Sequence, residues 1–467
     1  MTQGFARSRT FRDALGGAAL VAVALVGAVS LLLASPGRAY AAPQATNIAV
    51  ESPDPSSITF KVRATADADI ASAVVNYRVE SPDLPVGGTL RAEVGGGKSV
   101  DAAAVLQTKS AERYYPAGTL ITYSWTITDK NGATFTTPET TFTFLDGRFT
   151  WQSKKAGQTT VYWYNDNGDN AANADLALRA TEESIEDMQA LLNVKLDYDI
   201  RVLVWKNSAD AKDAQRPRAA TFDQQVITGG SRVSADVLHI YDPLGGFEDV
   251  ARHEAAHIVT KVAGDGKIAQ LPSWIDEGTA VYAQKNPGGY KPAVERAIRA
   301  DALTRLRSMA APANVPGQVD IFYGQSWSTV KFMIDTYGRQ KFAAVFKAVK
   351  DGTPIDGALK ATIGVDQDGL YNAWRKSVGL ATIDFPPEAS ATSIAAAKAT
   401  QPPLGIPTSV TSAESTDGVR SGGEAEDAGQ AAVGVDTTTA AAVGGVAVLV
   451  AGGLGFLALR LSRRKAA

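Results

Sequence analysis

Along residues 45–147 apolar and polar positions alternate with a period of two. The alternation is clearest at 58–62, 74–79, 120–128 and 140–145, and turn residues separate the runs, among them Asp129-Lys130-Asn131-Gly132. Such alternation turns one face of each strand to a core and the other to water, and predicts about seven short strands in a two-sheet sandwich. From Phe149 the period changes. Residues 161–164, 200–205 and 237–241 read as buried strands, and 175–192 as a helix with Ile185, Met188 and Leu192 at helical spacing. Helices are then expected over 247–262, 274–284, 293–307, 325–337, 341–350 and 370–376. Gly338 stands just past one of them, where a helix end favours glycine. A small mixed sheet followed by a helical half is an α+β domain, residues 149–384.

Two runs are apolar without a period. At the N-terminus, Arg7, Arg9 and Arg12 precede an apolar stretch from 14 to 34, and Ala39-Tyr40-Ala41 follows it. This is the layout of a secretory signal peptide, residues 1–41; the length of the run also fits an uncleaved anchor. At the other end, residues 440–459 carry no charge and Arg460, Arg463, Arg464 and Lys465 follow. That run suffices to cross a hydrocarbon layer of ~30 Å as a transmembrane helix over 440–461. The basic cluster then puts the tail, 462–467, in the cytoplasm and the body outside the membrane. Residues 386–439 are rich in Ala, Ser, Thr, Gly and Pro and nearly without aromatics, the composition of a flexible stalk.

Composition narrows the chemistry. The 467-residue chain has 46 Lys+Arg against 49 Asp+Glu, net charge −3, which leaves no broad basic footprint for nucleic acid. It has no cysteine, so disulfides, thiolate metal sites and thiol nucleophiles are excluded. The missing Cys pair also means that an immunoglobulin- or fibronectin-like assignment for 45–147 rests on pattern alone. Any metal must be held by His, Asp or Glu, and two of the three histidines lie five residues apart or less.

Those two are in Arg252-His253-Glu254-Ala255-Ala256-His257, an H-E-x-x-H pattern on an expected helix. Four residues make about one turn, so His253 and His257 project from one face and can reach one cation, for which zinc suits neutral imidazole. Glu254 is placed beside the metal, where it can take a proton from water. Nineteen residues separate His257 from Glu277, in Ser273-Trp274-Ile275-Asp276-Glu277-Gly278-Thr279-Ala280. Ser273 reads as the N-cap of a second helix, with Asp276 completing a capping box. Alone, Glu277 would read as a dipole-favoured surface carboxylate. Beside the histidine pair it reads as a third ligand, and small Gly278 and Ala280 allow its helix a close approach.

These segments resemble the gluzincin metallopeptidases, and more narrowly the bacterial peptidase MA-like domains. Trp163-Tyr164, Tyr323-Gly324-Gln325-Ser326 and the stretch Val330 to Gly338 add to the likeness, which covers roughly 150–380. The resemblance implies zinc-dependent peptide-bond hydrolysis, with His253, His257 and Glu277 on Zn2+ and Glu254 as general base. It also suggests Tyr323 as oxyanion stabiliser, because similar enzymes place a Tyr at a comparable distance after the Glu; a core aromatic is the other reading. Two departures stand out. Val281 occupies the place where the thermolysin branch has an Asp supporting a zinc-bound His, with Asp276 as the alternative carboxylate for that support or only the cap, and the Gly-Ala-Met-Glu-Asn signature of aminopeptidases is missing upstream.

His239 alternates with apolar neighbours on a strand and reads as structural or as a substrate contact. The run Asn165 to Asn170 lacks the ligand series of a calcium loop and reads as a solvated turn. The expectation is therefore a membrane-anchored, extracytoplasmic zinc metallopeptidase acting on protein or peptide. A surface binding or adhesion protein with a catalytically degenerate zinc domain is the alternative.

Overall fold

The computed structural model describes residues 41–83, 86–110, 113–164, 169–216, 228–241, 246–309, 318–385 and 447–449. In the N-terminal module these hold β1 (Gln44–Glu51), β2 (Ser57–Thr65), β3 (Ile70–Glu80), β4 (Gly87–Ala92), β5 (Ser99–Gln107), β6 (Leu120–Asp129), β7 (Thr134–Thr136) and β8 (Thr140–Thr143). One antiparallel sheet runs β1-β2-β5 and the other β4-β3-β6-β7, with β8 also on β6. Alternation is the cause: along β5, Val100, Ala102, Ala104 and Leu106 are buried and the residues between them exposed. The buried faces share a core around Phe60, Tyr123, Trp125 and Phe144. The expected hairpin at Asp129 is present. The Asp129 carboxylate accepts from the N–H groups of Asn131 and Ala133 at 2.9 Å each, and Gly132 supplies the φ of 83° that the turn requires.

The second half begins with β9 (Trp151–Ala156), β10 (Thr159–Tyr164), α1 (Asp169–Leu192), β11 (Ile200–Val204), the short α2 (Ser208–Lys212), β12 (Thr228–Ser234) and β13 (Val237–Ile240). Helices α3 (Phe247–Gly264), α4 (Ser273–Ala283), α5 (Tyr290–Arg299), α6 (Gln318–Tyr337), α7 (Arg339–Lys350), α8 (Ile355–Ile363) and α9 (Gln367–Ser377) follow. The sheet order is β12-β13-β11-β10-β9; β10, β11 and β13 are parallel and the two flanking strands antiparallel. A further strand, β14 (Ala447–Leu449), pairs outside β12. The α+β expectation for this half therefore holds. β11 and β13 are buried along their whole length, as parallel strands covered on both faces are.

Helices α1 and α3 cover one face, and their core runs from Val161 and Leu238 through Trp274 to Trp374. The β-module covers the other. Ala117 of the module shares a buried cluster with Tyr164, Leu203, Trp205, Val237 and Tyr241. Gly118, at φ 97°, lies so close that a Cβ there would meet Leu203 and Val237 side-chain carbons at 2.7 Å each. Polar groups seal the same contact: Arg201 donates to the Gly118 carbonyl at 2.6 Å and pairs with Asp236.

Several expectations need correction. The helix expected over 293–307 ends at Arg299, because Asp301 adopts φ 46° and its carboxylate pairs with Arg375 at 2.7 Å. Only a 3-10 turn, Leu306–Ser308, follows. The capping box is absent: α4 begins at Ser273 with Pro272 as its N-cap and no side-chain cap bond. Among the described residues no helix is long and apolar enough to cross a membrane. The expected signal peptide up to residue 40, the stalk, the tail, residues 165–168 and the expected span, apart from the extended residues 447–449, lie outside the described residues.

Candidate metal centre

α3 is buried along most of its length, so its polar residues are placed rather than solvated. His253, Glu254 and His257 are all within 1% of full burial. The helical spacing turns both imidazoles to one side, with ring centroids 4.8 Å apart. α4 then brings Glu277 to the same point. α4 also lies close on α6 because Gly278 has no side chain: a Cβ there would stand 2.4 Å from the Ser326 carbonyl of α6. The small residue was expected, and the surface it fits is that of α6.

His253 Nε2, His257 Nε2 and Glu277 Oε2 form a nearly equilateral triangle with sides of 3.1, 3.3 and 3.4 Å. Three ligands of a tetrahedral zinc at 2.0–2.1 Å stand about 3.3–3.4 Å from one another, so the donor set fits that ion. Among the described residues it is the one group of three His, Cys, Asp or Glu side chains arranged to hold a metal. Glu277 Oε2 is buried without a hydrogen-bond partner, a costly state for a carboxylate unless a cation faces it.

The surrounding groups fix the two rings. Asp276 Oδ1 lies 3.1 Å from His257 Nδ1, so a neutral ring donates there and turns its Nε2 lone pair to the triangle. Thr260 donates to the same carboxylate oxygen at 2.5 Å, and Lys261 pairs with the other at 3.0 Å. Gln284 reaches His253 Nδ1 at 3.0 Å. Electrostatics agree with a centre that prefers positive charge. Burial alone would raise the Glu277 and Asp276 carboxyls, but His257 leads the groups that pull both below their ordinary range. Burial lowers His253, while at His257 the two carboxylates outweigh burial and raise the ring.

Glu254 faces β12. The Arg232 N–H of β12 donates to its Oε2 at 2.8 Å, and its Oε1 is buried without a partner. Burial pushes the carboxyl up to about 8. β12 can approach because Gly230 is bare; a Cβ there would stand 2.7 Å from Val250 and 3.1 Å from Glu254. Tyr323 is also brought to the site. Its ring centroid is 6.2 Å from that of His253, and it stacks on Tyr290 at 5.1 Å. Burial first, then the Glu277 carboxylate, keeps its hydroxyl well above the usual phenol range.

His239 is not in the site. It is fully buried under the module, with Nε2 2.8 Å from the Ala117 carbonyl, and burial lowers it to about 4. The structural reading of that residue is the one its surroundings support. Sequence reasoning passed over β12, Thr260, Lys261 and Gln284. No local signal marks β12: Thr-Gly-Gly-Ser-Arg-Val-Ser is polar and glycine-rich, and a sheet edge makes it a strand.

A family model described as the Peptidase MA superfamily matches residues 182–379. No curated protein matches the chain. Among solved structures, an M1 zinc metallopeptidase from Deinococcus radiodurans is 12% identical, with 74% of this chain and 97% of that chain covered at a TM-score of 0.30. Yeast LTA4 hydrolase is 10% identical over 72% of this chain and 66% of that chain, TM-score 0.31. BhCBM56 is 16% identical over 22% of this chain and 99% of its own, TM-score 0.16.

Proposed function

Since residues 182–379 belong to the Peptidase MA superfamily, we propose that this chain is a zinc-dependent peptidase acting on protein or peptide. The observation that carries the reading is the triangle of donors, 3.1 to 3.4 Å on a side, from His253, His257 and Glu277. Zinc held there supplies Lewis acidity to the carbonyl of the scissile bond and to water.

The chain's own residues do the rest. Glu254 is the general base: Arg232 N–H fixes one oxygen, and the other is left to take a proton and return it to the departing amine. In the metal-free protein burial pushes that carboxyl up to about 8, and the positive charge of a bound zinc would draw it back towards the ionised form that a base needs. Tyr323 retains its proton, so its hydroxyl acts as a donor towards negative charge developing on the substrate oxygen. Asp276 orients His257. The basic start, apolar run and Ala39-Tyr40-Ala41 of the N-terminus support an extracytoplasmic body behind a signal peptide at 1–41.

Metal analysis of the purified protein, with a broad peptide-library digest of wild type and Glu254→Gln, tests the reading. Stoichiometric zinc in both and cleavage in wild type alone are expected. Absence of zinc, or cleavage equal in both proteins, rules it out.

A further inference from the structure

Among the described residues four arginines are buried, and three are engaged by close partners. Arg201 donates to the Gly118 carbonyl at 2.6 Å and pairs with Asp236. Arg252 donates to the Ala283 carbonyl at 2.7 Å and to Glu183 at 2.9 Å. Arg375 donates to the Ala381 carbonyl at 2.8 Å and to Asp301 at 2.7 Å. Arg232 differs. Its side chain is only 10% exposed, its Nε is buried with no hydrogen-bond partner, and its one ion-pair contact among the described residues is Asp83 at 3.8 Å. A charge-assisted pair closes to about 2.7–2.9 Å, so that contact is slack. A nearly buried guanidinium with its donors unused is costly unless something else pairs it.

Its position says what that partner is near. Arg232 is on β12, and its own N–H holds the Glu254 carboxylate at 2.8 Å. An arginine side chain reaches about two residues of extended peptide, ~7 Å, from its backbone. The planar fork of guanidinium donors matches a carboxylate in two-point contact.

We propose that Arg232 is a specificity-determining residue that pairs with a carboxylate of the peptide, within about two residues of the bond facing Glu254. The proposal rests on the peptidase reading above for the nature of the ligand. Asp83 of the β-module is then the resting partner that the ligand carboxylate displaces. The carboxylate can come from an Asp or Glu side chain or from a free C-terminus.

Binding rather than turnover tests this, so its failure is distinct from failure of the peptidase reading. Full-length Glu254→Gln protein is titrated with two sets of labelled peptides. One set has an amidated C-terminus and a central Glu or its Gln counterpart. The other is neutral in sequence with a free or an amidated C-terminus. A preference for the carboxylate form on the order of tenfold is expected in one set, and the set that shows it names the source. Adding Arg232→Gln abolishes the preference while neutral amidated peptides bind as before, and Arg232→Lys keeps part of it. If Arg232→Gln does not fold, Asp83→Asn carries the test, with a several-fold gain for the carboxylate peptide alone. Equal binding of carboxylate and amide forms, an equal loss for every peptide in Arg232→Gln, or no gain in Asp83→Asn overturns the proposal.

Discussion

Asp276 and Glu277 grip opposite sides of one imidazole. Asp276 Oδ1 is 3.1 Å from His257 Nδ1, and Glu277 Oε2 is 3.4 Å from His257 Nε2. Two consecutive residues of α4 therefore set both the orientation of the ring and the third donor beside it. The start of α4 is in turn fixed by the contact of Gly278 with α6.

The two carboxylates should separate on mutation. Glu277→Gln removes a charged donor, and Glu277→Ala removes the donor altogether; both should weaken zinc strongly and stop turnover. Asp276→Asn keeps all three donors and should cost about 10–100-fold in zinc affinity through loss of ring orientation. Competitive zinc titration measures both, and equal zinc affinity in Glu277→Ala and wild type would remove Glu277 from the ligand set.

Gly278→Ala should destabilise despite improving helix propensity. The propensity gain is about 1 kcal/mol. The added Cβ would face the backbone oxygen of Ser326 at 2.4 Å, which cannot swing away as a side chain would. Overpacking of this kind costs typically 1–3 kcal/mol, so the net change should be a loss. A lowered thermal midpoint with reduced zinc affinity is expected, because Glu277 is the adjacent residue.

His239 should make the molecule sensitive to mild acid. Its folded-state pKa is lowered to about 4 by burial, below the ordinary value of 6.5. Between those values the unfolded chain binds the extra proton, so stability falls as pH drops from 6.5 towards 4, and the loss is complete below that. His239→Gln can still donate to the Ala117 carbonyl but does not titrate. Urea midpoints from pH 7.5 to 4.5 should fall more steeply for wild type than for this variant; parallel curves would contradict the assignment.

Docking of the module should be needed for the integrity of the second half. Leu203, Trp205, Val237 and Tyr241 are buried where the module covers the sheet. Gly118→Val adds atoms where even a Cβ meets two side chains at 2.7 Å, in a backbone region hostile to β-branched residues. Faster limited proteolysis between the two halves and binding of a hydrophobic dye are expected, with wild type resistant to both.

The sequence by itself determined what depends on near neighbours in the chain. The pairing of His253 with His257 follows from one turn of helix, and the sandwich from alternation such as Val100 to Leu106. Glu277 was legible because a helix start places it at a fixed distance along the chain from the pair. Tertiary structure decided the rest. Asp276 read either as a cap, because a carboxylate near a helix start usually serves the exposed N–H groups, or as a support for a zinc-bound His; burial of α4 against α3 turns it to His257. Residues 228–234 carry no strand pattern, and they become β12 because β13 offers an open edge and α3 leaves room only for Gly230. His239 and Arg201 acquired their roles from a module more than eighty residues upstream, whose carbonyls satisfy them. Local spacing fixes which side chains leave a helix together, but what a polar group does once buried depends on partners that only the fold supplies.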